Sequence, residues 1–217
     1  MAEEKRVSGV KAIISSNKKK ILLDEWLSNE LVNAGYSRMA VSSTPKEALG
    51  TKIIIYAARP SLVIGRRGSR VRELAKKIEE LFGYQNVNIT VLDIDVPELD
   101  PRIMAWQIER QLVRGVRYRR VGFWAINVIK NAGATAAEII ISGKLRTVRA
   151  AYQKFKYGDI LKSGELADRL VDSAHRPVLT KFGIIGVKVS IMKTSLREYL
   201  ASKQEEGGGQ NEEGAGA

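Results

Sequence analysis

The stretch Val63–Leu74, VIGRRGSRVREL, sets two arginines between two glycines at the mouth of a charged helix. Adjacent like charges repel unless an anion lies near them. Glycine permits a tight turn and leaves no side chain in the path of an approaching strand. A helix that opens just afterwards offers unpaired N–H groups and the positive end of its dipole. Arg70 stands a turn further on. Gly65, Arg66, Arg67, Gly68 and Arg70 therefore spell a clamp for a phosphate backbone. The four letters alone are weak, because a plain helix–helix turn has the same spelling. The flanking elements decide between the two.

On the N-terminal side, Lys20–Gly35 reads as a helix, with Ile21, Leu22, Trp26, Leu27, Leu31 and Val32 on one face and Gly35 as the stop. Arg38–Ser43 reads as a short strand, STPKEALG as a connection, Thr51–Ala57 as a β-branched strand and Pro60–Ile64 as a helical turn. On the C-terminal side, Ser69 is the expected N-cap of a helix running to Gly83, with Val71, Leu74, Ile78 and Leu81 as its apolar stripe. Asn86–Ile94 follows as a strand in which Val87, Ile89 and Val91 alternate. The order helix–strand–strand–helix–GRRG–helix–strand resembles the KH RNA-binding domain in its second, prokaryotic-type topology. In KH domains the GXXG loop clamps four backbone nucleotides.

DVPELDP, Asp95–Pro101, is a natural boundary with two prolines and three acids. Beyond it, Arg102–Val116 and Val121–Asn131 read as helices, the second ending at Gly133. Strand-like runs follow at Ala136–Ser142, Val148–Tyr157, Ala167–Ala174 and Gly183–Met192. In the last of these, Ile185, Val187, Val189 and Ile191 point one way, and Lys188 and Ser190 the other. SLRE, Ser195–Glu198, is a capping box that opens a short terminal helix. The acidic, Gly-rich end is low-complexity and reads as disordered. The expected architecture is α+β throughout. A type II KH domain spans 19–96 after an N-terminal extension at 1–18. A two-layer domain of two helices on a roughly four-stranded sheet spans 97–194, and a short helix and tail span 195–217.

The 217 residues carry 36 Lys and Arg against 24 Asp and Glu, a net charge of +12. The excess is concentrated. Arg102–Lys156 holds twelve cations opposed only by Glu109 and Glu138, a net of +10. That density favours a polyanionic partner, nucleic acid before membrane. There is no cysteine, which excludes disulfide and thiolate chemistry. Neither a signal-peptide core nor a membrane-length apolar run is apparent, and a cytoplasmic protein is expected.

Within the basic block, Arg110, Arg114 and Arg117 recur at spacings of four and three on one helix face, opposite Met104, Ile108 and Leu112. Trp106 lies near that stripe, where it would either stack on a base or pack against the neighbouring domain; packing is the commoner use. Arg117, Arg119 and Arg120 gather with Tyr118 where the next helix begins, so its N-terminal end adds to their pull on an anion. Lys144, Arg146, Arg149, Lys154 and Lys156 extend the block, with Lys154 and Lys156 on the strand face opposite Phe155. All of these read as phosphate contacts, which position a protein on RNA without reading its sequence.

LVIGRRGSRVREL, ISGKLR after a helix ending in NAGA, and the terminal GIIGVKVSIM together resemble the KH-containing protein family of the small ribosomal subunit that is numbered three. The likeness covers about Val7 to Met192, and SGKLR…YQKFKYGD is similar to the archaeal and eukaryotic branch. The resemblance implies a structural constituent of the subunit head. It implies as partners the small-subunit (16S-type) ribosomal RNA, messenger RNA in the channel by which it enters, and neighbouring head proteins. In bacterial members a basic trio on the second helix of the C-terminal domain contacts incoming messenger. Two of its positions match Arg119 and Arg120, while the third, a lysine there, is Phe123 here.

A free KH-domain RNA-binding regulator is the alternative, and the phosphate-directed character of the +10 block weighs against it. An enzyme is not expected. His175 is the sole histidine and has no cysteine or second histidine to complete a site. Asp93 and Asp95, with Glu98 and Asp100 after them, spell a solvated turn more readily than a two-metal site. VIGRRG lacks the Lys-Ser/Thr of a nucleotide-binding loop. No catalytic residue, metal or cofactor is expected.

Overall fold

The structure is a computed structural model that describes residues 9–43, 51–84, 86–181, 183–197 and 199–201. The chain divides into two compact units, Met1–Asp95 and Val96–Ala217. The connection at 44–50, the tail from 202 onward and Glu198 of the expected capping box lie outside the described residues.

In the first unit, helix α1 (Gly9–Glu30) leads through a 3₁₀ turn, Val32–Ala34, into strand β1 (Tyr36–Ser43). Strand β2 (Thr51–Ala57), the short helix α2 (Pro60–Ile64), the 3₁₀ turn Arg66–Gly68, helix α3 (Ser69–Phe82) and strand β3 (Val87–Leu92) complete it. The sheet order is β1-β2-β3, with β1 antiparallel and β3 parallel to β2. A parallel neighbour requires a crossover, and α2, the GRRG turn and α3 supply it. This is the element order expected of the first unit.

α1 starts at Gly9, so half of the expected extension is helix. Its buried stripe is Leu23 and Leu27, continued by Leu31 just past its end at the same spacing of four, while Ile21 and Leu22 are exposed. The run ILL gives no means of choosing which residue faces in; the sheet chooses, through packing with Ile53 and Ile55 in one core. In α3, Leu74 and Ile78 are buried and Leu81 is exposed. Phe82 takes the last inward place and meets Trp26 edge to face, with ring centroids 6.1 Å apart. Tyr36 adds a hydroxyl hydrogen bond to Asp24 of α1.

The second unit begins with the 3₁₀ turn Pro97–Leu99 and continues through helices α4 (Pro101–Val113) and α5 (Tyr118–Asn131). Strands β4 (Ala136–Gly143) and β5 (Ala151–Tyr157), helix α6 (Glu165–Leu170) and strands β6 (Val171–Thr180) and β7 (Gly183–Met192) follow. The four strands form one antiparallel sheet in the order β5-β4-β7-β6. α4 and α5 cover one face, with Met104, Ile108, Val121, Ala125 and Ile129 packed against Ile139, Ile141, Val187, Val189 and Ile191. The α+β, two-helices-on-four-strands expectation is met. The expected strand Ala167–Ala174 is overturned in its first half. ELADRL is built of helix formers, and Glu165 pairs with Arg169 one turn on, so α6 forms and the strand begins only at Val171.

Candidate nucleic-acid interface

The GRRG turn is built from left-handed backbone. Gly65 has φ 71, Arg67 has φ 50 with ψ 30, and Gly68 has φ 73. A Cβ at Gly65 would stand 2.8 Å from that of Arg70. Ser69 is the first helical residue of α3 and not its cap; Gly68 holds the N-cap position, and no side chain bonds the first N–H groups. The Ser69 N–H bonds the Arg66 carbonyl within the turn. Arg66 and Arg67 are exposed, and among the described residues neither side chain has an ion-pair partner.

Two further arginines hold this turn in shape. Arg72 donates from Nε to the Gly68 carbonyl (3.2 Å) and from Nη2 to the Arg67 carbonyl (2.7 Å). Arg70 reaches the carbonyls of Leu62 (3.3 Å) and Glu30 (3.4 Å), tying α3 to α2 and to the end of α1. The spacing in sequence puts Arg70 beside the ligand with Arg66 and Arg67. Its guanidinium is turned instead to backbone carbonyls, because the end of α1 supplies an acceptor that no local spacing reveals. For the same reason the bracing role of Arg72 has no signal in the sequence.

In the second unit a cleft of about 760 Å³ opens among the end of α4, the start of α5, the turn after β4 and the β6–β7 hairpin. Arg114, Arg117, Arg119, Lys144, Arg146 and Lys181 line it, over an apolar floor that includes Leu112, Leu145, Leu179 and Ile185. Among the described residues no carboxylate lines it. Five of these cations are expected from sequence; Lys181 is not, because it belongs to a hairpin far along the chain from the helices it faces. Arg146 Nε donates to the Tyr118 hydroxyl at 3.1 Å. Desolvation raises the pKa of that phenol, and the hydrogen bond and charge of Arg146, with Arg119 after it, outweigh this and lower it below its usual value. Two guanidinium groups thus surround this hydroxyl. Arg117 is the N-cap residue of α5 and makes no side-chain cap, so the positive end of that helix adds to their charge.

Two family descriptions match the chain: "KH domain" over residues 22–99 and "Ribosomal protein S3, C-terminal domain" over residues 108–191. Three relatives bear the name small ribosomal subunit protein uS3. That of Sulfurisphaera tokodaii is 41% identical over 88% of this chain and 85% of its own length. That of Methanocaldococcus jannaschii is 43% identical over 84% and 86%. That of Thermofilum pendens is 45% identical over 83% and 88%. The chain belongs to the uS3 family. These relatives are archaeal, in keeping with the branch expected from SGKLR and its sequel.

The remaining basic positions of this uS3 family member divide by environment. Arg120 and Arg149 are exposed outside the cleft. Arg110 lies over the Trp106 ring at 4.9 Å, and Trp106 is only 4% exposed, so the indole is closed to a stacking base. Lys154 is committed to Glu138 at 3.3 Å, together with Lys162 at 3.5 Å. Lys156 is exposed on the same strand face as Lys154, opposite the buried Phe155. Glu138 is buried in the sheet. Desolvation raises its pKa, and the bond from Lys154 with the charges of Lys162 and Lys154 reverses this and holds it below the usual carboxylate value. Lys154 thus neutralises a buried acid before it meets any phosphate. His175 is exposed on β6 opposite Lys188 of β7. Among the described residues no group of three His, Cys, Asp or Glu is arranged to hold a metal, and no helix is long and apolar enough to cross a membrane.

Proposed function

We propose that this chain is a structural constituent of the small ribosomal subunit head, held there by small-subunit ribosomal RNA. Residues 19–96 act as its KH module and 97–194 as its C-terminal module. Arg66 and Arg67 meet phosphates at the GRRG turn. The cationic cleft around Arg114, Arg117, Arg119, Lys144, Arg146 and Lys181 forms a second RNA contact, with Arg120 on the wall of the channel through which messenger RNA enters. The chain binds and positions RNA in the cytoplasmic ribosome and carries out no reaction. A cleft that gathers six cations with no acid among the described residues lining it is the observation that carries this reading. Such a surface gains most from a polyphosphate, whose counterions it releases. Kinship with the uS3 proteins supplies the particle.

Co-sedimentation tests it. A tagged chain should travel with the small subunit through a high-salt sucrose gradient at about one copy per particle. Release into the light fractions would favour a free KH-domain regulator instead.

A further inference from the structure

We propose that the acidic tail of this chain, residues 202–217, is a removable cover for its own cationic cleft. The tail sets Glu205, Glu206, Glu212 and Glu213 against Lys203 alone, a net of −3, and holds no apolar residue larger than alanine. Charge is therefore its only means of docking. The complementary surface is the cleft, where Arg114, Arg117, Arg119, Lys144, Arg146 and Lys181 converge with no rival carboxylate among the described residues that line it.

The point at which the chain leaves the folded unit fixes which glutamates arrive there. Arg169 Nη1 donates to the Tyr199 hydroxyl at 3.4 Å, which ties the segment before the tail to α6. α6 runs into Val171, the first residue of β6, and Val171 pairs with Met192 at the end of β7. The tail thus sets out from the Met192 end of the sheet, whereas Lys181 and Ile185 of the cleft lie at the other end, in the β6–β7 hairpin. β7 spans Gly183–Met192, so those ends are about 30 Å apart at roughly 3.3 Å per residue. Glu205 and Glu206 follow Ala201 too closely and extend at most about 18 Å from it. Glu212 and Glu213 extend roughly 36–40 Å, enough to span the sheet. Lys156 and Lys188, exposed on the sheet face away from α4 and α5, offer charge along the way.

A tethered ligand acts at a high effective concentration, so a pair of glutamates suffices to occupy the cleft. Exposed ion pairs are individually weak and are screened by salt. An RNA backbone brings many phosphates and releases their counterions, and so displaces the tail. The tail therefore raises the threshold for RNA at the cleft, a consequence that rests on the RNA-binding reading above.

Two measurements on the full chain test the cover. First, the RNA-free chain is treated with a zero-length carbodiimide coupler, and the linked peptides are read by mass spectrometry. Glu212 or Glu213 should be joined to Lys144 or Lys181, and the product should vanish at about 0.5 M salt, where screening reaches within a few ångström. Second, labelled oligouridine is titrated at low salt into two variants that change the net charge equally. Glu212→Gln with Glu213→Gln should tighten binding about fivefold, whereas Glu205→Gln with Glu206→Gln should leave it within about twofold. Absence of coupling, coupling to lysines scattered over both units, or equal gains from the two pairs would overturn the proposal. A chain that couples as stated yet binds no RNA would overturn the RNA-binding reading and leave the cover standing.

Discussion

Arg67 occupies a backbone conformation, φ 50 and ψ 30, that costs an L-residue roughly 1–2 kcal/mol. A glycine there would be relaxed, yet the chain keeps a guanidinium and braces the strained turn with Arg72. Its charge is thereby aimed outward beside that of Arg66. Replacing both by Asp should weaken RNA binding by the chain, most at low salt, and should lower the salt slope by about one for each phosphate no longer neutralised. A filter-binding titration across a salt series reads both numbers, and an unchanged slope would reduce GRRG to a turn. Gly122 is the counterpart in the second unit. A Cβ there would overlap the Phe155 ring, so α5 lies directly on β5 at this point. Gly122→Ala should cost about 1–3 kcal/mol through overpacking, which a urea melt detects as a lower midpoint at constant m-value.

At the scale of elements, the strands and the long core-facing helices are legible in the sequence because their periods are short and their apolar residues are unambiguous. β2 and β7 have the predicted bounds; burial alternates along β2 and as far as Val189 in β7, whose last four residues, Ser190 among them, are all buried. Where the sequence misleads, the cause is shared: a short local pattern fits two structures equally well. Ile21, Leu22 and Leu23 are interchangeable as letters, and the six amphipathic residues of α6 fit a strand period as readily as a helical one. Asp100, part of an acidic linker in the sequence, caps α4 by accepting from the backbone N–H groups of Arg102 (2.9 Å) and Ile103 (3.3 Å). Glu138, one of two stray acids in a basic block, is the anion that keeps Lys154 and Lys162 against the β4–β5 pair. Its folded pKa lies below the unfolded value. It therefore contributes stability that is present above the ordinary glutamate range, about pH 4.3, and that disappears as pH falls through the folded value. Thermal melts between pH 6 and 3 should show that acid-side decline, and Glu138→Gln should flatten it while lowering stability at neutral pH.

At the scale of the whole molecule, the charge is the organising fact. Each unit has its own core, and each turns arginines outward that no carboxylate among the described residues pairs, at GRRG in one and around the cleft in the other. If Arg119 and Arg120 serve messenger and not assembly, Arg119→Ala with Arg120→Ala should still enter the small subunit in normal amount and should slow translation of structured messengers. Gradient profiles and a reporter with a stable hairpin near its start measure the two effects, and failed incorporation would reassign these arginines to ribosomal RNA. The amino-acid sequence by itself determined the α+β class, the element order of the first unit, the two long helices and four strands of the second and the concentration of positive charge, since periodicity, turn residues and composition are local properties, whereas α6 was not legible in it. Only the tertiary structure decided which cations remain available. Arg70 is spent on the carbonyls of Leu62 and Glu30, Lys154 on Glu138 and Arg110 on the Trp106 ring, whereas Lys181 is brought to a cleft with residues far from it in sequence. A side chain's charge is written in its letter, but its partner is set by what the fold packs beside it.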